Sequence, residues 1–260
     1  MKIVINQAHI DFLTEKRIYV ERRGRNDEGW LKLGKPFVLE RYVEVEPYAE
    51  FQVGPRLFTM GSFSFSRTSL PMGVKVGRYC TIANNVALMS YGHPTDGVTF
   101  ANIDYKTGHA CYNMAVADSG KGPLPQRKWD NLPVPKLEIG DSVWIGEKAL
   151  LGRNIKIGTG ALIASRAVVT KDVPPYTMVA GNPAVPKGKF DGLRHPPELV
   201  ERLLESEWWR YNFTDFHEFY HHDPEKFLDG FEQYRDRLKM WSPKKVNISR
   251  EFSRISDEQS

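Results

Sequence analysis

From Ile139 onward an aliphatic residue recurs at every sixth position: Ile139, Ile145, Leu151, Ile157, Ile163 and Val169. The residue that follows is small in Gly140, Gly146, Gly152, Gly158 and Ala164, with Thr170 as the exception. Four places beyond each aliphatic stand Val143, Ala149, Ile155, Ala161, Ala167 and Val173, all small or branched. A helix repeats at 3.6 residues and a strand at 2, so a strict period of six belongs to neither alone. It fits a coil with flat sides, each side a short strand whose aliphatic residue points inward. Three sides close a triangular turn, and stacked turns bring parallel strands to about 4.8 Å from one another. Small residues suit the corners and the places where neighbouring turns crowd. Residues 139–174 therefore hold two full turns.

A looser form of the pattern comes earlier, with Leu70, Val76, Ile82 and Leu88 six apart and Val74, Cys80 and Val86 at the second inward position. The distance from Leu88 to Ile139 is not a multiple of six, so the chain leaves the coil and returns out of phase. The intervening segment 94–138 is rich in glycine and proline. Loops beyond about 12–15 residues are uncommon unless functional, and this one is expected to be a substrate-facing arm. Residues 1–69 read as a capping segment with irregular first coils, 70–186 as the β-helix, and 187–260 as a helical extension. Within the first, Ile3–Ile5 and Phe37–Leu39 look like strands and 22–29 like a turn; atypical units commonly cap solenoids. In the extension, Pro196-Pro197-Glu198 opens a helix running toward Trp208-Trp209. Asp223-Pro224 opens another, with Phe227, Leu228, Phe231, Tyr234 and Leu238 at helical spacing. The polar end, Ser249 to Ser260, is expected to fray.

Composition narrows the picture. The 260 residues are 41% hydrophobic and 26% charged, enough for a sizeable core in one large domain or two small ones. A net charge of +4, with lysine and arginine spread along the chain, gives no basic stripe for nucleic acid. Apolar runs such as Ala161–Ala164 are too short to span a membrane, and the first residues turn polar too early for a secretory signal. Two cysteines, Cys80 and Cys111, cannot build a disulfide framework or a cysteine-rich metal site. A reduced, cytoplasmic setting is expected.

Several segments carry a family resemblance. They are Ser90-Tyr91-Gly92-His93-Pro94-Thr95-Asp96-Gly97, Ile139-Gly140-Asp141-Ser142-Val143-Trp144-Ile145-Gly146, Val169-Thr170-Lys171-Asp172-Val173-Pro174-Pro175-Tyr176 and Gly181-Asn182-Pro183-Ala184. In order and spacing, from about residue 70 to 215, the chain resembles the hexapeptide-repeat acyltransferases. It is most similar to the xenobiotic acetyltransferase branch, with its streptogramin A and type B chloramphenicol O-acetyltransferases. The resemblance implies a left-handed parallel β-helix, acetyl-CoA as co-substrate, no metal, and a homotrimer with sites between subunits. It also implies that His93 is the general base and that Trp144, Gly146, Ala164, Thr170, Lys171, Asn182 and Pro183 line the coenzyme path.

The chemistry agrees with those roles. A hydroxyl is a poor nucleophile near neutral pH, and one imidazole can remove its proton as oxygen attacks an activated thioester. No covalent intermediate is required, since Cys80 falls at an inward position and buried thiols are inert. Lys171 or Lys187 can meet phosphates as point charges. Candidates for the acceptor, a small molecule or a saccharide, are Tyr91, Asp96, His109, Tyr112 and Trp129, and Asp96 is a candidate to orient the imidazole. Transfer to the amine of a sugar or sugar nucleotide is a close alternative. A metal-dependent hydratase sharing the β-helix, as in γ-type carbonic anhydrases, would need convergent histidines, yet none occurs between His109 and His195. A non-enzymatic scaffold is the remaining alternative.

Overall fold

The structure is a computed structural model that describes residues 2–20, 29–89, 92–105, 108–129, 134 and 136–258. It divides into two units, one of residues 1–89 with 135–260 and one of residues 90–134.

The first unit is built on a three-sided parallel coil. One side stacks Glu44–Val45, Thr59–Met60, Val74–Val76, Leu137–Ile139 and Ile155–Ile157. A second stacks Glu50–Phe51, Phe65–Ser66, Thr81–Ile82, Trp144–Ile145, Leu162–Ile163 and Met178–Ala180. The third holds Ala87–Leu88, Leu150–Leu151 and Val168–Val169. Both inward sets of the period-six repeat are buried, from Ile139 to Val169 and from Val143 to Val173, as is Cys80. The arrangement buries the aliphatic columns and leaves the corners to turn residues.

Parallel pairing begins well before residue 70, where the sequence placed the start of the regular helix. Turn length explains the difference. Ile139 pairs with Ile157, eighteen residues on, whereas Val45 pairs with Met60 and Met60 lies beside Val76, fifteen and sixteen residues on. Shortened turns erase the period of six while keeping the stack.

One corner carries a column of residues in the left-handed region: Tyr48, Phe63, Tyr79, Ser142, Gly160 and Tyr176, with φ between +52° and +72°. L-residues pay about 1–2 kcal/mol there, and inter-turn hydrogen bonds hold them. Ser142 N donates to Arg78 O at 2.7 Å, Gly160 N to Asp141 O at 2.8 Å and Tyr176 N to Thr159 O at 2.8 Å.

Before the coil, Lys2–Val4 pairs antiparallel with Pro36–Val38, and a helix, α1 (Gln7–Glu15), is capped by Asn6. The turn expected at 22–29 lies almost wholly outside the described residues. In the second unit the arm is not all loop, for it contains α2 (Ala110–Ser119), ended by Gly120 at φ +65°. After the coil come α3 (Pro197–Ser206) and α4 (Pro224–Tyr234), the latter capped by the Asp223 carboxylate. The fraying expected from Ser249 onward is corrected by α5 (Ile248–Asp257), which buries Ile248, Phe252 and Ile255 and is capped by Asn247. Those apolar residues sit three and four apart, a stripe that the surrounding polar residues hide. Val246–Asn247, just ahead of α5, pairs antiparallel with Glu44–Val45 and covers the open edge of the first coil. No helix among the described residues is long and apolar enough to cross a membrane.

Candidate active site

His93 is exposed, and its Nδ1 lies 2.9 Å from Phe100 O and 2.6 Å from the Tyr105 hydroxyl. The carbonyl can only accept. The Tyr105 hydroxyl can donate to Asn102 Oδ1 or to Phe100 O, and with its proton on either its oxygen accepts toward His93. Two acceptors at Nδ1 fix the proton there and leave the Nε2 lone pair free, the form a general base needs.

The same contacts run on through the arm. Asn102 Nδ2 is 2.9 Å from His109 Nε2, and the His109 ring meets Tyr112 edge-on at 5.7 Å. Tyr105 also faces Trp129, with ring centres 6.0 Å apart. His93, His109, Tyr112 and Trp129 are thus linked through Tyr105 and Asn102, which no sequence signal marked. Tyr112 also borders a cavity of about 290 Å³ within the arm. Asp96 takes another part: its carboxylate binds Arg127 at 2.8 Å, and its own backbone amide, then Arg127, hold its pKa below the usual range. It does not orient the imidazole. The backbone carbonyl of Phe100 and the Tyr105 hydroxyl occupy that position. Tyr91 lies outside the described residues.

On the coil, Trp144 is half-exposed on the second side. Gly146 and Ala164 sit one above the other at the next corner, Gly146 N donating to Ile163 O at 2.8 Å and Ala164 N to Val179 O at 2.9 Å. A Cβ at Gly146 would lie 2.5 Å from Ser165 N, so the glycine is required by the crowding of successive turns. Thr170 and Lys171 follow the third side and are exposed. Asn182 and Pro183, also exposed, lie beside Val168, whose N–H donates to Gly181 O and whose carbonyl accepts from Ala184 N. Lys187 is exposed next to the last strand of the second side, with its N–H on Met178 O at 2.8 Å. An exposed indole, small corner residues and two exposed lysines suit a long thioester whose far end carries phosphates. Cys80, by contrast, is fully buried, and burial pushes its thiol up to about 12.

No family model matches the chain. Among curated proteins, a chloramphenicol acetyltransferase of Klebsiella aerogenes is 50% identical over 140 residues, 53% of this chain and 59% of that one. One from Escherichia coli is 36% identical over 137 residues, 52% and 58% of the two chains. A probable macrolide acetyltransferase of Lysinibacillus sphaericus is 31% identical over 148 residues, which span 53% of this chain and 69% of that protein. The chain belongs to the hexapeptide-repeat acetyltransferases.

Within that family it sits with the xenobiotic branch named by those relatives. The match spans only somewhat over half the length of the chloramphenicol acetyltransferases. Solved acyltransferases resemble it distantly. AntD, an N-acyltransferase from Bacillus cereus, aligns at 18% identity and TM-score 0.37 over 63% of this chain and 74% of that one. A hexapeptide-repeat acetyltransferase from Vibrio cholerae aligns at 22% and 0.34 over 49% and 59%. Likenesses this faint decide nothing further about this hexapeptide-repeat acetyltransferase.

Proposed function

We propose that the protein is an acetyl-CoA-dependent O-acetyltransferase that moves acetyl directly to a hydroxyl of a small molecule or saccharide. The observation that carries this reading is the contact of His93 Nδ1 with Phe100 O and the Tyr105 hydroxyl, which turns the proton of a neutral ring to Nδ1 and leaves Nε2 as the basic nitrogen. As the acceptor oxygen attacks the thioester carbonyl, Nε2 takes the hydroxyl proton. The C–S bond then breaks, and the imidazolium returns that proton to the departing thiolate. Phe100 O and the Tyr105 hydroxyl orient the ring and stabilise the imidazolium that forms between the two transfers.

Trp144, Ala164, Thr170, Asn182 and Pro183 are assigned to the pantetheine path, with Gly146 keeping the turns close beneath it. Lys171 and Lys187 are assigned to the phosphates. His109 and Tyr112 remain acceptor candidates. In this reading the coil is left-handed, the assembly a homotrimer with sites between subunits, and the setting cytoplasmic, as in the family the sequence resembles.

The test is thiol release from acetyl-CoA across a panel of hydroxyl and amine acceptors, with wild type and His93→Ala side by side. General-base catalysis contributes about 10²–10⁴-fold, so the variant should lose roughly that much. An unchanged rate would refute the assignment of His93. Turnover with amines alone would make the protein an N-acetyltransferase, and calorimetry showing no coenzyme binding would favour a scaffold.

A further inference from the structure

A cavity of about 700 Å³ opens in the unit of residues 1–89 and 135–260, beside the left-handed corner column. Tyr48, Phe63 and Tyr79 form a ladder along that column, with ring centres 5.6 and 5.0 Å apart, and the last two line the cavity. The next two rungs are Ser142 and Gly160, which have no ring, before the column resumes at Tyr176. Trp208 stands across the gap, its ring 5.0 Å from Tyr79 and its Nε1 donating to the Tyr176 hydroxyl at 3.4 Å. Aromatic side chains, Phe63, Tyr79, Tyr176, Trp208 and Phe227 among them, make most of the wall. None of the lining residues is assigned above to the coenzyme or the acceptor.

Among the described residues, the polar part of the wall carries one fixed charge, that of Arg194. It holds Arg194, His195, His221, His222 and the Ser142 hydroxyl, and no aspartate or glutamate among the described residues lines it. Arg194 Nη1 donates to Gly160 O at 2.7 Å, and no carboxylate among the described residues forms an ion pair with it. Its guanidinium is half-buried, and burial holds its pKa below the usual arginine range. A partly desolvated cation without a counter-ion is costly, and an anion beside it removes that cost. Burial, then the Arg194 charge, lowers the His195 pKa and so favours the neutral, hydrogen-bonding form of that ring. His221 Nδ1 accepts from Asp223 N at 2.9 Å, so its Nε2 carries the proton and can donate. Asp141 and Asp215 act electrostatically on Tyr176 and Tyr79 but do not reach the wall. Volume, ring lining and a few convergent donors are what pockets for drug-sized molecules share.

We propose that this cavity binds a small aromatic anion, a flat ring bearing one acidic group, stacked against the ladder with its charge toward Arg194. The site stands independently of the acetyl-transfer reading. The probe is 1-naphthoate, titrated calorimetrically into the full chain without coenzyme. Its uncharged counterpart, 1-naphthamide, and a non-aromatic carboxylate, cyclohexanecarboxylate, are titrated beside it. The expected result is binding of 1-naphthoate at least ~10-fold tighter than either counterpart, about one hydrogen-bonded charge contact in energy.

Two variants locate the site. Ser142→Tyr adds a ring at φ +54°, a conformation Tyr79 already adopts at +59°, and should weaken 1-naphthoate at least ~10-fold by filling the gap. Arg194→Met should bring the preference over 1-naphthamide down to near unity. Equal affinity for naphthoate and naphthamide in wild type overturns the proposal, as does wild-type affinity in Ser142→Tyr. His93→Ala should bind 1-naphthoate like wild type, so loss of acetyl transfer and loss of this site are read separately.

Discussion

The His93 ring is fixed by atoms seven and twelve residues further along the chain, Phe100 O and the Tyr105 hydroxyl. Tyr105→Phe removes one of the two acceptors and leaves the ring volume in place. Losing one such hydrogen bond should lower kcat about 10-fold with the KM for acetyl-CoA unchanged; a steady-state comparison separates the two effects. A rise in KM alone would assign Tyr105 to binding. Cysteine gives a second prediction at this scale. The buried Cys80 thiol, pushed up to about 12, should resist a thiol reagent in the native protein, while exposed Cys111 reacts. Counting labelled thiols before and after denaturation should give one and then two. His93 was legible as a candidate from its neighbours in sequence. Tyr105 and Asn102 were not, because nothing local in a loop declares which hydroxyl will meet which ring.

At the scale of elements, the turns decide what a reader of the sequence can see. Where each turn takes eighteen residues, between Ile139 and Ile157, inward positions recur at six and the strands can be placed from the letters alone. Where turns are trimmed, between Val45 and Val76, the same pairing persists without the period. The helix α2 shows a different blindness: it buries no residue, so it has no apolar stripe, and only its alanines and Gly120 could have announced it. Close packing of turns also yields a test. A Cβ at Gly158 would lie 2.4 Å from Pro175 N, and one at Gly146 2.5 Å from Ser165 N. Overpacking typically costs about 1–3 kcal/mol, so Gly158→Ala and Gly146→Ala should each lower the urea midpoint without changing its slope. Full stability in Gly146→Ala would show that turn crowding is not what demands the glycine there.

Across the whole first unit, the C-terminal segment ties the two ends of the coil together. Val185–Pro186 covers the outer edge of Met178–Ala180, and Val246–Asn247 covers that of Glu44–Val45, which shields edges that invite aggregation. A buried ion pair anchors the return. Arg78 binds both oxygens of Glu46 at 2.7 and 2.9 Å and donates to Trp241 O at 2.9 Å. Trp241 Nε1 reaches Ser62 Oγ at 2.8 Å. Burial raises the Glu46 carboxyl, but the Arg78 and Ser62 hydrogen bonds outweigh it, and its pKa lies below the ordinary 4.5. The unfolded chain therefore takes up this proton first as acid is added. Glu46 stabilises the fold above about pH 4.5 and loses that contribution as pH falls through its folded value. Glu46→Gln should flatten the acid limb of a stability–pH curve. At neutral pH, leaving Arg78 with a weakened partner should cost about 3 kcal/mol.

The arm departs after the third side and the chain rejoins at the first, so that Met89 N still finds Leu151 O at 2.8 Å and Leu137 N still finds Gly73 O at 3.3 Å. An insert placed at a single bend leaves the pairing of every rung around it unbroken. A change in the length or composition of residues 90–134 should therefore leave the strand pairing on either side of the bend in register.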